Sequence, residues 1–191
     1  MISVFIKKLS LYFLICFGIV TFILLKFGQD VDPFYVKFTT PKVNSMIIGD
    51  SRSLQGLNPS VFNEKLKKED YSLPMFNFSF TTDQARIGPL YRKSILRKLN
   101  KNSDKGLFII ALDGIMMASD IKKDNMNGEF WENNQPPHNM FFVDKNPNYE
   151  YFIKNLSYFD FRRIFKKKYT THKDGFQTLK YDSNKKQMLK I

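Results

Sequence analysis

The chain has 191 residues, 43% hydrophobic and 25% charged, a balance that supports a packed core and excludes wholesale disorder. Lys and Arg number 30 against 18 Asp and Glu, a net charge of +12 that suits anionic lipid headgroups or envelope polymers but also fits a lysine-rich composition without function. The basic residues are scattered and no recognition-helix or aromatic-strand motif accompanies them, so no nucleic acid partner is expected.

The first element is an anchor over 1–27. Leu9 to Leu25 carries no charge, and with Ile2 to Ile6 the apolar stretch approaches the ~20 residues that span a bilayer. Lys7 and Lys8 flank one side and Lys26 the other, which places the N-terminus in the cytoplasm and the rest of the chain outside. A cleaved signal peptide competes with this reading, but Leu24-Leu25-Lys26-Phe27 supplies no small residues for a cleavage site. The lone cysteine, Cys16, lies inside the apolar run, so an intrachain disulfide and thiolate metal ligation are excluded. The expected partner of residues 2–25 is the lipid bilayer of the cell (inner) membrane.

Residues 28–42, punctuated by Asp30, Asp32 and Pro33, read as a linker. A domain over 43–170 follows. Its first strand is expected at 43–48, where Met46-Ile47-Ile48 is apolar and partly β-branched. Asn58-Pro59 has the form of an N-cap and first helical residue, opening a helix over 59–68. A second strand is expected at 75–80 and a helix at 89–100, with Leu90, Tyr91, Ile95 and Leu99 at helical spacing. The continuous apolar run 107–112 suits a parallel strand covered on both sides. Strand, helix, strand, helix, strand is the order of a three-layer, doubly wound α/β domain, with the first strand central. Residues 120–148 read as a polar excursion over the sheet and 149–168 as a helix. Residues 171–191 read as a basic, partly ordered tail.

The strand ends concentrate the chemistry. Gly49-Asp50-Ser51 follows the first strand, Asn77-Phe78-Ser79 closes the second, and Leu112-Asp113-Gly114 closes the third. Ligands of open α/β sheets bind at such carboxyl ends. No phosphate-binding loop, dinucleotide fingerprint or metal-spaced His/Cys cluster is present, and no cofactor or metal is expected. Trp131 and Phe141-Phe142 either line a glycan groove or pack the core.

Ile47-Ile48-Gly49-Asp50-Ser51-Arg52-Ser53 with Gly56-Leu57-Asn58-Pro59 resembles block I of the SGNH (GDSL-type) hydrolases, and more closely their membrane-anchored, envelope-associated acyltransferase-like branch. The resemblance covers 43–119 and implies a flavodoxin-like SGNH fold. It implies Ser51 as nucleophile and oxyanion donor, with Asp50 and Arg52 beside it. The Ser79 N–H would be a second oxyanion donor, and Asp113 stands where the family has a donor asparagine. The substrate class implied is an envelope polysaccharide or a lipid-linked acyl donor. The family's closing Asp-x-x-His block has no counterpart. The two histidines, His138 and His172, each lack an aspartate three residues earlier, and His138 is the better candidate base. The expectation is therefore an SGNH-like esterase or O-acyltransferase scaffold that is inactive or cut short. The competing expectation is a noncatalytic envelope-binding protein on the same scaffold.

Overall fold

The computed structural model describes residues 2–117, 136–166 and 169–179. The chain begins with α1, Ile2–Val31, one continuous helix about 45 Å long at 1.5 Å rise per residue. It is long and apolar enough to cross a membrane, a property that signal sequences share. Its N-terminal two-thirds is exposed, whereas Leu24, Gly28 and Val31 are buried in the domain.

The expected linker at 28–42 is not one. The helix runs on to Val31, and Pro33, which lacks an N–H, cannot extend it. The Asp32 carboxylate accepts the Phe34 N–H at 2.8 Å, and a 3₁₀ turn, Tyr35–Phe38, follows. Phe34, Tyr35, Val36 and Phe38 all enter the core. The polar punctuation marks a turn between two buried pieces.

The sheet has three parallel strands, β1 (Ser45–Gly49), β2 (Met75–Asn77) and β3 (Phe108–Ala111), in the order β2-β1-β3. Ile47 pairs with Asn77 on one side and Ile109 on the other, so the first strand is central, as the sequence predicts. Between β1 and β2 lie α2 (Ser51–Gly56) and α3 (Pro59–Lys65), the latter capped by Asn58 with Pro59 at its first turn. Between β2 and β3 lies α4, Pro89–Lys98. After β3 come α5 (Gly114–Met117) and α6 (Tyr149–Lys154). An antiparallel hairpin, β4 (Tyr169–Thr171) with β5 (Gln177–Leu179), occupies the start of what reads as a tail.

Two further expectations fail for local reasons. β3 is an edge strand of the described sheet, and Phe108, Ile110 and the following Leu112 are about half exposed, so it is not covered on both sides. The helix expected over 149–168 stops at Lys154: the Asn155 N–H closes its last turn on the Tyr151 carbonyl at 2.9 Å, and beyond it the bonding passes to the tighter i→i+3 type. Separate 3₁₀ turns follow at Leu156–Tyr158 and Phe161–Ile164, the second opened by Asp160 accepting the Arg162 N–H. The 120–135 part of the excursion, Trp131, and the tail beyond Leu179 lie outside the described residues.

The core is aromatic. Phe38, Phe78, Phe80, Tyr91, Tyr151 and Phe159 make a continuous network of ring contacts. Lys37, Lys98 and Asp32 are among the ionisable side chains buried with it. Lys37 donates to the carbonyls of Asn77 and Gly175, and Lys98 to those of Thr40 and Val143. Both ammonium groups lie within 6 Å of the Phe76 ring centre, a favourable placement for a cation. Burial lowers Lys37 well below its ordinary value and brings Lys98 down to about 7.

Asp32 is the buried acid. Desolvation raises it to about 7, against the lowering effect of its bonds from Phe34 N–H and Tyr151 O–H. Between pH about 4 and about 7 the unfolded chain has lost this proton while the folded chain keeps it, so stability falls as pH rises across that window. The drop from this group should be roughly 2–4 kcal/mol. Asp32→Asn should flatten it, measured as the unfolding midpoint against pH in detergent; an unchanged slope would show that Asp32 is ionised in the fold.

Candidate functional site

Gly49 ends β1 where three elements meet. A Cβ there would collide with Ser53 Oγ and lie 2.8 Å from the Ala111 carbonyl, so only glycine lets α2 turn so close to β3. Asp50 follows as the N-cap of α2. Its Oδ1 accepts the Arg52 N–H at 2.9 Å and its Oδ2 the Arg52 Nε–H at 3.0 Å. Ser51 is therefore the first residue of α2, at the carboxyl end of the central strand and half-buried.

Arg52 joins two strand ends. Its guanidinium is held by Asp50 after β1 and also pairs with Asp113 Oδ2 after β3. These carboxylates raise its affinity for a proton further, so it is a fixed cation. Asp113 has a second task, accepting the Met116 N–H at 2.8 Å and capping α5. Asp113 thus faces a cation and a helix N-terminus, both of which favour a carboxylate. Among the described residues no three carboxylate, imidazole or thiol groups converge as a metal set.

The second strand's end is organised by Asn77. Its Nδ2 donates to the carbonyls of Ser53 at 2.8 Å and Leu57 at 3.0 Å, tying the C-terminal turn of α2 to β2. Its Oδ1 accepts the Ser79 N–H at 3.0 Å. The backbone donor that the family resemblance assigns to an oxyanion is therefore already engaged within the protein. Ser79 Oγ is buried without a hydrogen-bond partner.

The two histidines lie elsewhere. His138 is buried in the core, its ring stacked on Tyr91 at 4.4 Å between centres and edge-on to Phe80 at 4.6 Å. Its Nε2 bonds the Gln84 carbonyl, and burial lowers it to about 4, so it is neutral at physiological pH. His172 is exposed in the β4–β5 turn region, with Nε2 at 3.2 Å from Thr178 Oγ1. No hydrogen bond links either ring to Ser51.

The structure thus brings Asp50, Ser51, Arg52 and Asp113 to one end of the sheet, with Ser79 at the end of the neighbouring strand, and gives His138 and His172 hydrogen-bond partners other than these. Sequence reasoning singled out Asn77 only as the residue before the second donor and did not foresee its side-chain role. It missed Lys37 altogether, for lysine carries a surface expectation. Compared with family models, curated proteins and solved structures, the chain matches none.

Asn77→Ala would strand the Ser79 N–H and the Leu57 carbonyl, two groups at about 1–3 kcal/mol each when buried, and would leave the Ser53 carbonyl only the Leu57 N–H. It should cost at least ~2 kcal/mol, whereas Ser51→Ala should stay within ~0.5 kcal/mol. Chemical denaturation of the two variants checks this; equal losses would mean that Asn77 does not hold the site.

Proposed function

We propose that this chain is a membrane-anchored, extracytoplasmic SGNH-like protein whose strand-end site holds an acylated envelope glycan or a lipid-linked acyl group. In residues 1–191 the site binds without turnover. Support for the scaffold comes from the parallel order β2-β1-β3 and from Gly49-Asp50-Ser51 opening a helix at the end of the central strand. Support for the absence of turnover comes from one observation. Neither histidine of the chain hydrogen-bonds Ser51: the buried His138 Nε2 is on the Gln84 carbonyl and the His172 Nε2 on Thr178.

The chemistry follows from that. A serine hydroxyl is a weak nucleophile without a neighbouring base, and general-base help worth roughly 10²–10⁴-fold is absent. Arg52, clamped by Asp50 and Asp113, is two-thirds exposed or more and offers a cation to a carbonyl or phosphate oxygen placed over Ser51. An exposed, fixed guanidinium beside an uncommitted hydroxyl suits recognition of an oxygen-rich ligand.

The full chain, purified in detergent and given short p-nitrophenyl esters, should hydrolyse them no faster than its Ser51→Ala variant. Turnover that depends on Ser51 would overturn the binding reading and make the protein an esterase. Orientation is tested separately. A reporter that works only outside the cytoplasm, fused after Ile191, should be active; activity of a cytoplasm-only reporter there would reverse the topology.

A further inference from the structure

Charge fixes where α1 sits in a bilayer. Lys7 and Lys8 precede a charge-free run from Leu9 to Leu25, and Lys26 closes it. A hydrocarbon core of about 30 Å takes about 20 helical residues. A core that begins after Lys8 therefore ends near Gly28, with Lys26 snorkelling outward to the headgroups. The folded domain meets the helix well before that point. Phe17 stacks on Tyr149 with ring centres 5.3 Å apart, and Thr21 Oγ1 lies 2.8 Å from the Tyr149 hydroxyl. Phe17 to Gly28 is roughly 16 Å of helix. That stretch belongs both to the span and to the contact with the domain.

We propose that the flank of the domain formed by residues 149–166 is a second membrane contact, seating the domain on an anionic lipid surface beside α1. This rests on the reading of α1 as a span. The apolar residues the flank leaves bare fit lipid, and the exposed Lys154 beside them is held by Glu150 and the Asn139 carbonyl. Ile153 is 74% exposed and Phe165 87%, with Leu156 and Phe161 also exposed. Ile153 is one helical turn from Tyr149, so both project from one side of α6. The cations lie toward the outer end of α1. The Asp160 N–H donates to the Val31 carbonyl, which sets the turn Phe161–Ile164 at the level where the hydrocarbon gives way to headgroups. Arg162 is exposed there and Lys166 follows it. Apolar side chains at acyl depth and cations at headgroup depth are the pattern of an interfacial segment. A soluble protein partner would need this flank clear of the bilayer, and the helix register does not leave it clear.

The test uses the full chain in vesicles of equal parts phosphatidylglycerol and phosphatidylethanolamine. Nitroxide labels are placed one at a time on Leu14→Cys, Ile153→Cys, Phe165→Cys and Val61→Cys in a Cys16→Ser background. All four positions are exposed, so labelling leaves the core intact. Val61, on α3, is the water-facing control. The labels at 14, 153 and 165 should be reached by lipid-dissolved oxygen, and several-fold less than the label at 61 by an aqueous nickel chelate. A lipid-exposed label at 14 with a water-exposed label at 153 or 165 would overturn the proposal while leaving the anchor intact. A water-exposed label at 14 would overturn the anchor and the proposal with it. Arg162→Glu with Lys166→Glu should raise the chelate accessibility of the label at 165 several-fold in these vesicles and not in phosphatidylcholine. An equal effect in both lipids, or none in either, would overturn the anionic preference.

Discussion

Asn77 commits every hydrogen-bonding group it has to a different part of the chain. Its N–H donates to Asp174 in the hairpin turn, and its carbonyl accepts the buried Lys37 ammonium. Its side chain takes the C-terminal turn of α2 and the Ser79 N–H. One residue at the end of β2 thus fixes the position of the segment after α1, the helix that begins with Ser51, and the β4–β5 turn. Gly175 makes this possible. Its φ of +81° and the nearness of the Asn77 carbonyl leave no room for a Cβ. Lys37 supplies the N–H donors that two converging carbonyls need in an aromatic surround. Replacing a donor so placed by an apolar group would leave both carbonyls without it, which is why a buried lysine belongs to the architecture here.

The anchor and the domain are one folded unit. Leu24, Gly28 and Val31 of α1 share a core with Phe34, Tyr35 and Phe38, and Gly28 is where the Tyr35 ring lies directly against the helix. Asn148 ties the same segment from the other side, taking the Tyr35 hydroxyl on its N–H and giving its Nδ2 to the Phe38 carbonyl. A membrane helix joined through a flexible tether would leave the domain free to choose its distance and tilt. A helix that continues into the core sets both. With α1 spanning a bilayer as proposed, its depth would determine which face of the domain meets lipid.

Much of the sheet was legible because its signals are local. Met46-Ile47-Ile48 and 107–112 are apolar runs, and Asn58-Pro59 is a cap with its own chemistry, so strands and helix starts fell close to their predicted places. What escaped was non-local. Residues 28–42 carry the polarity of a linker, yet the value of Tyr35 and Phe38 depends on partners more than 100 residues away. The break after Lys154 is a passage from α-helical to 3₁₀ bonding, which apolar periodicity does not mark. Lys37 and Lys98 read as solvated charges, and only the fold supplies the carbonyls and rings that hold them. The candidate site was legible as three strand ends; the use of each end was not, because Asp113 pairs with Arg52 through the tertiary structure alone.

That use bears on what the site can do. In an acyl-transfer site the strand-end donors point at a position where negative charge will develop, and they are left free for it. Here the Ser79 N–H is turned back onto Asn77, and the carboxylate in the donor asparagine's place holds Arg52. The second arrangement joins the ends of β1 and β3, and the first folds the end of β2 on itself. They make the carboxyl edge of the sheet a braced surface, with Ser51 upon it and a guanidinium held between two carboxylates. The guanidinium N–H groups left over can donate to a carbonyl oxygen in its ground state, whereas rate enhancement requires donors that bind the transition state more tightly than the ground state. Rigidity at this edge therefore supports the proposed holding of a ligand. The same bracing is compatible with a domain pinned to the membrane, where a ligand carried on a lipid or an envelope glycan arrives already confined to a surface.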